Sequence, residues 1–203
     1  MTAPIWRETE PLLLASKSAI RRQLLEDAGL PVEAAPAEVD ERAIEAEHAG
    51  PAAALAAHLA AAKAREASRR HPGRLCLGAD QVLTLGEETL HKARSREEAA
   101  GKLARLQGRE HRLTSAFALF QDGALLESGE DAARLSMRPL DRQQIAVYLD
   151  AAGEAALSSV GAYQLEKLGV HLMQRIEGDH TTILGLPMLP LLASLRRLGA
   201  LGL

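Results

Sequence analysis

Apolar and polar positions along the chain fall into short alternating runs and helical repeats. Residues 12–15 form an apolar run of the kind that makes a buried strand, and Ser16, Lys17 and Ser18 break it at once. From Ser18 the period becomes helical, with Ile20, Leu24, Leu25 and Ala28 on one face and Gly29 then Pro31 as the stop. Pro51 fits the first position of a long Ala-rich helix that runs to about Ser68 and ends before His71, Pro72 and Gly73. Residues 74–85 alternate: Leu75, Leu77, Ala79, Gln81, Leu83 and Leu85 share one face, and Cys76, Gly78, Asp80, Val82 and Thr84 the other. This predicts a strand with a carboxylate in its middle. Ser95 with Glu98 three residues on predicts a capping box and a helix closed by Gly108. Residues 112–120 read as a strand, which the hairpin pair Asp122-Gly123 joins to a second at 124–137. Asp141 with Gln144 caps a further helix, with Ile145, Tyr148 and Leu149 inward and Gly153 at its end. Residues 170–176 predict a strand, and 187–198 a C-terminal helix with Pro190 in its first turn. Strands alternating with helices, plus one hairpin, predict an α/β fold with a mixed sheet.

Composition narrows the function. At 203 residues the chain suits one large domain or two lobes around one cleft. Its 47% apolar and 25% charged residues match a folded, soluble protein and exclude a disordered or collagen-like one. Aromatic residues make up only 2%, namely Trp6, Phe117, Phe120, Tyr148 and Tyr163, too few for a stacking platform that grips polymeric nucleic acid. The net charge of -3 supplies no global field toward DNA, RNA or anionic lipid, so local cations must catch any anionic ligand. The single cysteine, Cys76, excludes an intramolecular disulfide and a cysteine-built zinc site and fits a reducing compartment. The N-terminal residues 1–10 lead into an apolar run too short for a signal peptide, and no run approaches the ~20 residues of a spanning helix. A cytoplasmic protein without a membrane association is expected.

Four segments could carry chemistry. The first strand-to-helix turn puts Arg21 and Arg22 at a helix start, which is unfavourable next to the positive end of the dipole unless an anion binds there. With Ser16, Ser18 and the free N–H groups this fits a phosphate cradle as well as a solvated helix start capped by Ser18. The turn lacks the glycines and the Gly-Lys-Ser/Thr ending of a Walker A loop. Asp80, flanked by Gly78, Ala79 and Val82, must be paired, metal-bound, at a cleft or capping a turn, and the two small neighbours leave room for a ligand beside it. Asp40-Glu41, Lys63 and Lys92, taken singly, fit ordinary surface charges. Gly161-Ala162-Tyr163 through Glu166, and residues 178–187, are glycine-marked tight loops; His171 and His180 lack metal-ligand spacing and are read as non-ligands.

Taken in order, these segments resemble the Maf family of nucleotide pyrophosphatases. Leu14-Ala15-Ser16-Lys17-Ser18-Ala19-Ile20-Arg21 is similar to its opening Leu-Ala-Ser-x-Ser-Pro-x-Arg, with Ala19 in place of proline. Asp40-Glu41 resembles its acidic pair, residues 59–64 its Leu-Ala-x-x-Lys-Ala helix with Lys63 as the lysine, and Gly78-Ala79-Asp80-Gln81-Val82 its acidic strand. Lys92 matches the lysine of its Gly-Lys-Pro turn, with His91 and Ala93 as changed neighbours, and residues 106–111 look like its Leu-Ser-Gly-x-x-His helix end. Gly161-Ala162-Tyr163 and Gly185-Leu186-Pro187 complete a resemblance that spans about residues 12–199.

The resemblance implies a single Maf-like domain over residues 1–203: a central mixed, twisted sheet flanked by helices, as in inosine triphosphatase-like folds, with two lobes around a nucleotide cleft. It implies hydrolysis of a free nucleoside triphosphate to the monophosphate and pyrophosphate, keeping unwanted nucleotides out of nucleic acids. A divalent cation is implied, Mg²⁺ foremost, with Mn²⁺ or Co²⁺ as alternatives. Ser16, Ser18, Arg21, Arg22, Lys63 and Lys92 would bind the triphosphate, Glu41 and Asp80 the metal, and Asp80 would accept a proton from the attacking water. Ile20, Gln81 and Glu166 stand at three positions that divide the family's branches. Gln81 and Glu166 resemble the 7-methyl-GTP branch, whereas Ile20 replaces its tryptophan and Lys167 a glycine. The resemblance further implies a homodimer. The competing class is a non-catalytic nucleotide-binding regulator of cell division or septum formation. A sugar-nucleotide or dinucleotide enzyme on a doubly wound sheet is disfavoured by the missing Gly-x-Gly-x-x-Gly turn after the first strand.

Overall fold

The computed structural model describes residues 5–203, so the first four residues of the N-terminal stretch lie outside the described residues. The run after Pro11 forms β1 (Leu12–Leu14), which pairs in parallel with β2 (Val32–Ala34) and with β3 (Cys76–Leu85). A strand with partners on both sides and cover on both faces reads as an unbroken apolar run, and all three leucines of β1 are buried. Between β1 and β2 lies α1 (Ala19–Asp27), started by Ser18, whose hydroxyl accepts the Arg21 N–H, and followed by Gly29 at φ +76°.

The periodicity does not predict the next helix, α2 (Glu41–Glu47), because none of its residues is buried; Asp40 starts it by accepting the Ala43 N–H. Pro51 does not open the Ala-rich helix directly. It caps a 3-10 turn (Ala52–Ala54), and α3 (Leu55–Arg70) follows and runs two residues past Ser68. A short strand, β4 (Glu88–Leu90), pairs antiparallel with β3. Ser95 starts α4 (Arg96–Leu106), but the expected box is half-built: Ser95 accepts the Glu98 N–H, while the Glu98 carboxylate accepts from the Arg94 N–H at 2.8 Å.

The strands β5 (Glu110–Gln121) and β6 (Ala124–Met137) meet at Asp122 and Gly123, both at positive φ (50° and 78°), the two-residue turn that matches strand twist. The capping box of α5 (Arg142–Ala152) is complete, with Asp141 and Gln144 exchanging bonds. The strand expected at 170–176 begins later, as β7 (Met173–Glu177), after a 3-10 turn (Leu168–Leu172). The Gln164 carbonyl accepts from both Lys167 and Gly169, and a Cβ on Gly169 would lie 2.4 Å from that oxygen, so the chain winds back before it can extend. Val170 is left exposed and its strand preference goes unused. Asp179 caps a short α6 (His180–Ile183), and Pro187 precedes α7 (Met188–Arg197).

The result is a mixed α/β fold whose strand order is β2-β1-β3-β5-β6-β7, with β4 beside β3. No described helix is long and apolar enough to cross a membrane. The chain divides into two compact units, one of residues 1–81, 115–131 and 185–203, the other of residues 82–114 and 132–184. In the first, Leu12, Leu14, Leu77 and Phe117 pack with Leu25 of α1 and Leu191 of α7, while Leu13, Ala15 and Cys76 pack with Ala67 of α3 on the other side of the strands. In the second, Leu83, Leu103, Leu135, Leu149 and Tyr163 share one core.

Candidate active site

The close packing of α3 on β3 builds the centre of the first unit. A Cβ placed on Gly78 would lie 2.1 Å from the Ala60 carbonyl and 2.6 Å from the Ala64 nitrogen, so helix backbone touches strand backbone at this point. This corrects the expectation that Gly78 leaves room for a ligand: the space is taken by α3. The alanine bias of α3 has the same cause, because Ala60 and Ala64 are fully buried and any larger side chain would lift the helix off the strand.

Lys63, one residue before Ala64, thereby meets Asp80, two residues after Gly78. Its ammonium pairs with Asp80 Oδ2 and, at 2.7 Å, with Glu41 Oε1 at the start of α2. The Lys63 and Asp80 side chains are only 13% and 14% exposed, against 56% for Glu41, so the inner pair is shielded and the outer carboxylate faces water. The other Asp80 oxygen accepts the Gln81 N–H at 2.6 Å, which fixes the carboxylate plane. Of the four roles open to Asp80, the structure realises the paired one.

The first turn joins the same group. Ser16 Oγ accepts from the Ser18 N–H and from Arg21 Nη1, both at 3.2 Å. Arg21 also donates from Nη1 to the Ala79 carbonyl at 2.7 Å and from Nε to the Gly185 carbonyl at 2.8 Å. Three of its five N–H groups are thus held by protein oxygens, which leaves the Nη2 pair for a ligand. Burial pulls the Arg21 pKa down from its usual value, opposed by the charges of Asp80 and Glu41. Gly185, at φ +101°, presents its carbonyl to Arg21 from a backbone conformation that L side chains rarely adopt. The anchoring carbonyls of Ala79 and Gly185 escape sequence reasoning, because a backbone acceptor carries no residue signature; the glycine-marked Gly185-Leu186-Pro187 loop was the one available sign.

The remaining candidates hold other places in the fold. Arg22 points along the exposed face of α1 and pairs with Glu26 at 2.6 Å. Lys17 is exposed and Ile20 partly buried. The Gln81 amide donates to Ser115 Oγ of β5 at 3.0 Å. Lys92 and Glu166 are exposed residues of the second unit. Burial raises the Cys76 thiol to a pKa of about 11, which removes it as a nucleophile. Phe117, Phe120, Tyr148 and Tyr163 are all buried, so the rings that make up most of the small aromatic content are not free to stack on a base at the surface.

Two carboxylates converging on one ammonium form an oxygen-only pair of the kind that binds Mg²⁺ together with water and phosphate oxygens. Among the described residues no three His, Cys, Asp or Glu side chains gather into a fuller cage. The formal charges of Glu41 and Asp80 cancel those of Lys63 and Arg21, so a triphosphate entering this group would bring a large excess of negative charge. The donor set therefore fits a divalent cation that arrives with its phosphate ligand.

A family model described as Maf-like protein matches residues 11–198. A nucleoside triphosphate pyrophosphatase of Nitrobacter winogradskyi is 52% identical over 193 residues, covering 95% of this chain and 96% of that relative. A 7-methyl-GTP pyrophosphatase of Rhizobium etli is 53% identical over 196 residues, covering 95% and 98%. The solved structure of a HAM1 protein from Coxiella burnetii aligns with a TM-score of 0.43 and 19% identity over 62% of this chain and 72% of that one. On the match across most of its length and on these near full-length identities, the chain belongs to the Maf family.

Proposed function

We propose that the protein hydrolyses nucleoside triphosphates to the monophosphate and pyrophosphate. The observation that carries this reading is the shielded Lys63–Asp80 pair with Glu41 at its open side and Arg21 tied to the neighbouring Ala79 carbonyl. Two relatives about half identical over nearly the whole chain carry pyrophosphatase names, which supports it. Ser16, Ser18, Arg21 Nη2 and Lys63 bind phosphate oxygens, and Lys92 and Arg22 add exposed positive charge. Glu41 and Asp80 would hold the divalent cation, which would supply positive charge to offset the triphosphate.

Asp80 is the general base. When an anion draws the Lys63 ammonium to itself, Asp80 Oδ2 is released from that partner and can take a proton. It accepts that proton from a water whose oxygen bonds to the α-phosphorus, while the bond from that phosphorus to the α,β-bridging oxygen breaks and pyrophosphate leaves. Within the substrate class, Gln81 and Glu166 favour a modified guanine triphosphate such as 7-methyl-GTP, the substrate named for the Rhizobium etli relative. A carboxylate suits a base made cationic by methylation, and Gln81 is held in place by Ser115. The protein acts in the cytoplasm on free nucleotide.

The test is a panel of standard and modified triphosphates with Mg²⁺, scored for pyrophosphate and for phosphate. The expected result is pyrophosphate with monophosphate in equal amounts, fastest with 7-methyl-GTP. Release of phosphate and diphosphate instead, or binding without turnover across the panel, contradicts the proposal.

A further inference from the structure

Within the second unit, the turn that precedes Glu166 is tied down from three separate elements. Lys102 of α4 donates from Nζ to the Val160 carbonyl at 3.0 Å. Tyr148 of α5 donates from Oη to the Ala162 carbonyl at 3.3 Å. His111 of β5 bonds through Nε2 to Tyr163 Oη at 2.5 Å. The turn closes on itself as well, with Ser159 Oγ donating to the Tyr163 carbonyl at 2.5 Å and the Gln164 side-chain amide donating to Ser158 Oγ at 2.9 Å.

This bonding holds a conformation that the local chain does not favour. Ala162 sits at φ +59°, a region that a residue with a Cβ adopts at a cost, and a Cβ on Gly161 would lie 2.4 Å from the Tyr163 ring. A strained residue persists only where its surroundings over-determine it, and here three carbonyls and one phenol are claimed by buried or partly buried donors and acceptors. Tyr163 and Leu165 are buried in the core and Glu166 is exposed three residues past the latched turn, so the anchoring of that turn sets where the chain leading to Glu166 starts. Burial pushes the Tyr148 phenol up to a pKa of about 12, the Gln164 backbone opposes this, and the charge of Glu166 adds to it.

We infer that Tyr148, Lys102 and His111 are positioning residues that hold the 159–163 turn in its strained form and thereby set base selectivity through Glu166. This rests on the reading of Glu166 as the selectivity carboxylate. A loop free to relax would spread Glu166 over several orientations, and a preference that depends on one carboxylate meeting one base edge would fade while phosphate chemistry continued.

The experiment compares kcat/KM for 7-methyl-GTP with that for GTP in Tyr148→Phe, Glu166→Gln and the double variant. Glu166→Gln is expected to lower the ratio about tenfold, the scale of one net hydrogen bond to a charged group. Tyr148→Phe is expected to lower it by a similar factor, mainly through KM for 7-methyl-GTP, with kcat little changed. The double variant is expected to fall no further than Glu166→Gln alone, because Tyr148 acts through that carboxylate. Lys102→Met, which keeps the side-chain stem and removes only the bond to Val160, should lower the ratio in the same direction and serves if Tyr148→Phe does not fold. A ratio unchanged in Tyr148→Phe and Lys102→Met while Glu166→Gln lowers it overturns the inference, as do multiplied losses in the double variant. An unchanged ratio in Glu166→Gln removes the selectivity reading and this inference together, while pyrophosphate release in the same assay leaves the reaction itself standing.

Discussion

The charged group on β3 and α3 and the latched turn at 159–163 solve opposite problems with polar side chains. Around Asp80, ionised groups are paired with one another and partly exposed, and each has a partner that an incoming anion or cation can replace. Around Tyr163 most of the ties are uncharged: His111, Tyr148 and Tyr163 are buried and bonded to backbone or to each other, the Lys102 ammonium is the charged donor, and burial holds His111 down to a pKa of about 4. Under the proposed function, charge is concentrated where a ligand would redistribute it, because pairing keeps the group tolerable without making it rigid. Neutral bonds are used where a shape must be kept, because they do not reorganise when charge arrives.

The sharpest way to break the first region is at its backbone contact. Gly78→Val should cost about 3 kcal/mol or more, since the new atoms meet the Ala60 carbonyl and the Ala64 nitrogen rather than flexible side-chain ends. Denaturant unfolding measures this, and a stability within about 0.5 kcal/mol of the parent would mean that α3 does not rest on the strand as described.

The second region should be sensitive to acid. The folded pKa of His111, about 4, lies below its ordinary value of 6.5, so between these limits the unfolded chain binds more protons and stability falls as the pH falls. The loss begins near pH 6.5, reaches about 2 kcal/mol at pH 5 and levels off near 3 kcal/mol below pH 4. His111→Gln removes the titrating group, so its stability should change less between pH 7 and pH 5 than that of the parent. Equal slopes for the two proteins would show that His111 does not carry the dependence.

The smallest expected effect separates the anchored Arg21 from the exposed Arg22. Arg22 pairs with Glu26 on an exposed helix face, so Arg22→Ala should change stability by no more than about 0.5 kcal/mol. Its effect on KM for a triphosphate should be far below that of Arg21→Ala, which removes the guanidinium anchored on Ser16, Ala79 and Gly185. A larger KM effect from Arg22 would reassign the phosphate contact.

These same contrasts explain what could be read from the chain beforehand. Elements with local punctuation were legible: Ser18, Asp141 and the Asp122-Gly123 turn each act within four residues of themselves. The exposed α2 and the delayed β7 were not, since one lacks an apolar face and the other is displaced by bonds to the Gln164 carbonyl. Asp80 stood out as a carboxylate in an apolar strand, but its partners did not. Lys63 reaches it only because Gly78 lets α3 sit against β3, and Arg21 is anchored by a carbonyl 164 residues away. The latched turn left only its glycine in the sequence, because three of its ties end on backbone oxygens or on a phenol that any core might bury.

The central claim is that Asp80 takes the proton from the attacking water while Lys63, Arg21 and Glu41 manage phosphate and metal. It is tested most directly by measuring pyrophosphate release and equilibrium nucleotide binding on the same preparations of the parent and Asp80→Asn proteins, with Mg²⁺ present. Release is expected to fall about 100- to 10,000-fold, the usual worth of a positioned general base, while nucleotide binding changes by less than about tenfold. Release within a few-fold of the parent would contradict it.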